Sequence, residues 1–124
     1  MQTVVLIGLF FCHLLADYTH LLTAWMLNAK RFGKPLYPIF CHAEVHAILM
    51  GLFIKTLGFS WEITITLFAF QSATHFLIDV WKGRMNDWFP LLQDPKNKWH
   101  WILFGVDQFL HAVVIILMSY YAAL

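Results

Sequence analysis

The chain has 124 residues, of which 60% are hydrophobic and 12% charged, where a soluble domain carries about a quarter charged; water is not its main solvent. Aromatic residues make up 18%, with six Trp and twelve Phe, more than so small a soluble core requires and suited to lipid-facing and interfacial surfaces. A formal net charge of +1, with no basic cluster interleaved with aromatics, excludes a nucleic-acid partner, and one domain over residues 1–124 is expected.

A membrane-crossing helix needs about 20 mostly apolar residues, and four segments qualify: about 3–28, 36–58, 61–82 and 99–123. The first opens without a basic run, and its apolar stretch continues beyond a signal peptide's length, so it reads as a retained helix. It carries His13-Leu-Leu-Ala-Asp17, with His20 on the same face as Asp17. Lys30-Arg31-Phe32-Gly33-Lys34-Pro35 breaks the pattern. The second helix carries His42-Ala-Glu-Val-His46 and ends at Gly58-Phe59-Ser60. The third carries His75-Phe-Leu-Ile-Asp79, with Ser72 and Thr74 as packing residues. Residues 83–98 form the one long loop, lying along the interface and holding Trp88-Phe89, Pro90 and Asp94-Pro95, with room for a short amphipathic turn. The fourth helix carries Asp107-Gln-Phe-Leu-His111. His100, between Trp99 and Trp101, belongs to an aromatic belt, and Cys12 and Cys41 read as small buried hydrophobes.

Basic residues set the orientation. Lys30, Arg31 and Lys34 lie in the first loop, and Lys82, Arg84, Lys96 and Lys98 in or beside the third, against Lys55 alone near the second. The fold expected is all-α: an antiparallel four-helix transmembrane bundle, multi-pass, with both termini on the non-cytoplasmic side, in a bacterial inner membrane.

Each helix thus holds one polar pair four residues apart, which places both members on one face about 6 Å apart in rise. Counted from the cytoplasmic ends, Asp17, His20, His42, His46, His75, Asp107 and His111 fall about 9 to 18 Å deep, with Asp79 shallower and His13 deeper. An Asp at a helix centre costs about 2.5 to 3.5 kcal/mol to insert, so something must offset these carboxylates. Interhelical His–Asp hydrogen bonds are the plainer account, worth about 0.6 kcal/mol each in membranes. A divalent cation is the stronger one, because carboxylate and imidazole both ligate Zn, Fe or Mn, and bundle-core metal sites use such inward-facing side chains. The candidate ligands are His13, Asp17, His42, His46, His75, Asp79, Asp107 and His111, for one or two ions, with Zn foremost. Within that set, His42, His75, Asp107 and His111 are the ligands expected first. Asp17 and His46 divide between ligation and catalytic proton transfer, and Asp79 orients His75 or meets a head group. Lys82 and Arg84 are either snorkelling topology signals or contacts to an anionic lipid head group. Gln71 and Gln108 are weaker candidates to hydrogen-bond the site.

These motifs, His-Leu-Leu-Ala-Asp at 13–17 followed by Trp25 and Lys30, His-x3-His at 42–46, His-Phe-Leu-Ile-Asp at 75–79 followed by Lys82, and Asp-Gln-x2-His at 107–111, resemble a family of small bacterial integral membrane proteins known as a domain of unknown function. The resemblance covers most of the chain and implies the four-helix layout without an activity. More loosely, the density of His and Asp motifs is similar to that of membrane-bound metal-dependent hydrolases.

The function expected is metal-dependent hydrolysis of a lipid or lipid-linked substrate, with a divalent ion lowering the pKa of water toward neutrality. No Gly-x-Ser-x-Gly motif supports serine catalysis. Iron-dependent oxidation or hydroxylation, metal or proton transport, and a structural or assembly role are the alternatives, and a homo-oligomer is compatible with each.

Overall fold

Thr19 makes the first departure from a continuous apolar helix. In the computed structural model, which describes residues 1–124, helix α1 (Gln2–Tyr18) ends where Thr19 turns extended. The Thr19 hydroxyl donates to the Leu15 carbonyl and accepts from the Leu21 N–H at 3.3 Å, offering the backbone an alternative to the helical ladder. Thr23 then caps helix α2 (Ala24–Phe32), accepting from the Met26 N–H at 3.2 Å. The single helix expected over 3–28 is therefore two helices joined by a bend, and His20 lies exposed in that bend.

Gly33 closes α2 in the left-handed conformation, φ 69°. Helix α3 (Leu36–Thr56) begins after Pro35 and accepts Pro38 in its first turn, where a missing N–H costs no ladder bond. Ser60 caps helix α4 (Trp61–Trp88), accepting from the Ile63 N–H at 3.2 Å. This helix passes its expected end at 82 and stops before Phe89, the residue preceding Pro90, where helical backbone is sterically disfavoured. Gly83 does not break it, because it is a packing surface. A Cβ there would come within 2.2 Å of the Gly33 nitrogen and 2.5 Å of the Lys30 carbonyl, so α2 lies directly against α4. A single 3-10 turn at Pro90–Gln93 supplies the short turn expected in the loop. Asn97 then caps helix α5 (Lys98–Ala123), accepting from the Trp99 N–H at 2.9 Å.

Helices α3, α4 and α5 are long and apolar enough to cross a membrane. The 21 residues of α3 span about 31 Å, close to the hydrocarbon thickness of about 30 Å; α1 is apolar but has 17 residues. The interior has two unlike halves. Toward the chain termini it is apolar, with Leu9, Met50, Ile54, Leu67, Ile115 and Met118 at its centre. Toward the α4–α5 connection it is filled by buried histidine and aspartate. Outside, Ile7, Leu52, Ile65, Leu77 and Phe109 are exposed, and Trp25, Trp88, Trp99 and Trp101 ring one end while Trp61 and Tyr120 mark the other.

Candidate metal centre

The i,i+4 pairs of four helices meet in one buried cluster. Helix α1 delivers His13 and Asp17, α3 His42 and His46, α4 His75 and Asp79, and α5 Asp107 and His111. The His75 ring stacks on His46 at 3.7 Å between centroids and lies 4.3 Å from His111. His42 and His13 flank His46 at 4.7 and 5.0 Å. Asp17 Oδ1 accepts from Nε2 of both His42 and His46 at 2.9 Å, and its Oδ2 is 3.2 Å from His13 Nε2. Asp79 reaches His75 Nε2 at 3.1 Å and His111 Nε2 at 3.2 Å. Asp107 Oδ1 stands 3.3 Å from His111 Nε2, and its Oδ2 accepts from Gln108 at 3.0 Å. All eight expected ligands are brought together.

Six of them supply donor atoms to two sets that share His75, Asp17, His42, His46 and His75, and His75, Asp79 and His111, while His13 and Asp107, expected as ligands, belong to neither set. Within each set the atoms lie within 4.8 Å of one another. Ligands about 2.1 Å from a tetrahedral ion stand about 3.4 Å apart, so small side-chain shifts bring either set onto a cation. Three buried atoms strengthen the fit: His75 Nε2 and Asp79 Oδ2, 3.1 Å apart, and Asp107 Oδ1, 3.3 Å from His111 Nε2, are in contact range but not aligned as hydrogen bonds, a costly state for buried polar atoms that coordination would relieve. Gln71, also buried, meets His75 Nδ1 at 3.1 Å. It is one turn before His75 and can fix that ring, as outer partners of metal-bound histidines do.

A cavity of about 330 Å³ opens over the cluster, with Asp17, Asp79 and Asp107 in its lining beside Lys30, Arg31 and Lys82. Donors, carboxylates and an access route therefore occupy one end of the bundle.

The family model described as "Protein of unknown function (DUF3307)" matches residues 5–124. The chain belongs to this family. The matched span takes in all eight cluster residues, and the resemblance drawn from the His-x3-Asp and Asp-Gln-x2-His motifs is borne out. No curated protein and no solved structure matches the chain.

In this DUF3307 member several polar residues lie elsewhere than their sequence positions suggested. His20 is exposed and apart from the cluster. Asp79, expected shallower, sits at the cluster's centre and is 1% exposed. Arg84 does not line the cavity; its Nε donates to the Gly33 carbonyl at 3.0 Å, tying α4 to the end of α2. Lys82 does line it, with Nζ 3.7 Å from Asp107 Oδ2. His100 donates through Nδ1 to the Leu92 carbonyl at 2.7 Å and so fastens α5 to the 3-10 turn.

The residue that sequence reasoning missed is Lys30. Its Nζ is 3.4 Å from His42 Nε2, 3.7 Å from Asp17 Oδ1 and 3.9 Å from Asp79 Oδ2, between the two donor sets. Burial works against its charge, but the carboxylates of Asp79, Asp17 and Asp107 outweigh burial and hold the ammonium above the ordinary lysine range. The signal that could have found it is Thr23, a cap residue opening a new helix on which Lys30 falls in the last turn.

Proposed function

We propose that this chain is a membrane-embedded, metal-dependent hydrolase acting on a lipid or lipid-linked substrate. The observation that supports it is the convergence of five histidines and three aspartates from four helices on one buried cluster beneath a cavity. The set His75, Asp79 and His111 has three donors, the number that catalytic zinc sites use while leaving a position open. Asp107 stands beside His111 Nε2 on the ion's side, and Gln71 meets the far nitrogen of His75 and holds its ring. A divalent ion held there would lower the pKa of water toward neutrality. The hydrogen-bonded Asp17 and His46 take up and pass on the proton, and His42 and His13 hold Asp17 in place.

In this reading α1, α3, α4 and α5 are four crossings and α2 lies at the cytoplasmic interface, where Lys30, Arg31, Lys82 and Arg84 follow the positive-inside rule. Both termini then face the periplasm of a bacterial inner membrane. The apolar half of the core, centred on Leu9, Met50 and Ile115, speaks against a conduit within one chain, since conducted ions need polar partners along the whole path. The same ligands also suit iron, which makes oxidation or hydroxylation the second reading.

Elemental analysis of the detergent-purified chain tests the proposal, with wild type, His75→Ala and Asp107→Ala compared after chelator washing and reloading. Near-stoichiometric zinc or manganese, lost with His75→Ala and weakened with Asp107→Ala, is expected. Iron in its place with an optical spectrum would favour oxidation, and no metal uptake by wild type would sink the metalloenzyme reading.

A further inference from the structure

The cavity over the cluster balances its charges within itself. Its lining holds three carboxylates, Asp17, Asp79 and Asp107, and three cations, Lys30, Arg31 and Lys82, so these six cancel. Any divalent ion bound below leaves an excess of two positive charges. A dianion is the ligand that restores neutrality in a low-dielectric site, where uncompensated charge is expensive.

The ammonium groups also have hydrogen-bonding capacity to spare. Lys30 Nζ stands 3.7 and 3.9 Å from its carboxylate partners and Lys82 Nζ 3.7 Å from Asp107, beyond the length of about 2.7 to 3.2 Å at which an N–H donates. Each ammonium has three donors, and Lys30 has a single longer contact, 3.4 Å to His42 Nε2. Exposed Arg31 adds a guanidinium at the rim. A tetrahedral oxyanion can take several such donors at once, whereas a carboxylic ester or an amide offers them one neutral carbonyl. The remaining wall mixes polar Asn86, His100 and Gln108 with Tyr18, Leu22, Leu27 and Phe104, and on its apolar side Leu27 is 50% exposed at the outer surface, where an acyl or prenyl chain would continue into lipid.

Resting on the reading of a metal-dependent hydrolase, we infer that this cavity binds the phosphoryl group of a phosphate monoester, with Lys30 and Lys82 as its anion contacts. In hydrolysis a water oxygen bonds to phosphorus and the ester P–O bond breaks. One water proton ends on the departing alcohol oxygen, and the other stays on the released phosphate.

Calorimetric titration of the zinc-loaded full chain in a nonionic detergent tests this, with dioctanoyl phosphatidic acid, dioctanoylglycerol and inorganic phosphate as probes. Wild type is compared with Lys30→Gln, Lys82→Gln and Lys96→Gln, the last being outside the cavity. Phosphatidic acid binding, weakened about tenfold or more by each cavity variant at unchanged zinc content and unaffected by Lys96→Gln, is expected. Should Lys30→Gln fold poorly, Lys82→Gln carries the test alone, since its side chain is 24% exposed. Inorganic phosphate binding as well as the amphiphile identifies the free anion as sufficient; binding of the amphiphile alone identifies a lipid ester; both uphold the phosphoryl site. Dioctanoylglycerol binding as tightly as phosphatidic acid overturns it, as does unchanged phosphatidic acid affinity in both cavity variants that retain zinc. Lysine-dependent phosphatidic acid binding by a chain that takes up no zinc overturns the metal reading and leaves the phosphoryl site standing.

Discussion

His75 is the residue on which the cluster turns. It belongs to both donor sets, touches the rings of His46 and His111, and has Gln71 on its far nitrogen. Gln71→Leu keeps the size of the side chain and removes that partner, and is expected to weaken zinc about 10- to 100-fold, read by competition with a chromophoric chelator; an unchanged affinity would remove Gln71 from the account. Asp79→Asn tests the opposite side of the ring. It leaves Lys30 and His111 without their shared carboxylate, and truncating one partner of a buried charge network costs about 3 kcal/mol or more, so the melting temperature in detergent should fall. Taken singly, the 22 charged and histidine positions would be a poor guide, but the i,i+4 repetition made the eight cluster residues legible together, because helical periodicity fixes which face a side chain shares. Lys30 was not legible in that way. Its charge served equally well as a topology signal, and only the turn before it brings it back over Asp17 and Asp79.

Helix α2 is the element that composition concealed. Residues 3–28 are apolar almost throughout, so hydropathy joined α1 to the start of α2; the division is made by two hydroxyls, Thr19 and Thr23, whose effect is local hydrogen bonding rather than polarity. Thr23→Ala is expected to cost about 1 kcal/mol of α2 stability, visible as faster amide exchange over Met26–Phe32. The same measurement checks the α2–α4 contact. Gly83→Ala places a methyl group against the Gly33 backbone, which cannot move aside as a flexible side chain can, so α2 should lift and lose protection while the amides of α5 keep theirs. Equal protection in the variant would mean that α2 is held by something other than this contact. The extension of α4 to Trp88 was hidden for the same reason: Gly83 looks like punctuation in a sequence, and close backbone approach is visible only when Gly33 is beside it.

At the scale of the molecule the bundle is two materials end to end, a hydrocarbon-like core around Leu9, Met50 and Ile115 and a polar one around His75. The meeting of the four pairs was readable from helical rise and periodicity, but the depths of individual members were not, since Asp79, expected shallower, sits at the cluster's centre. Because a metal bound to the folded chain alone adds RT ln(1 + [L]/Kd), zinc at 100 times its Kd should raise stability by about 2.7 kcal/mol and the melting temperature by about ten degrees; no shift would count against a preformed site. The division of the core has a kinetic side as well. The cavity is floored by the His/Asp cluster, with the apolar half beyond it and no polar path through, so departing and arriving molecules would share one doorway within a two-dimensional fluid. For the lipid hydrolase proposed above, turnover should then follow the surface density of substrate in the leaflet rather than its bulk concentration, and the released alcohol, still dissolved in the same leaflet, should act as a competitive product inhibitor.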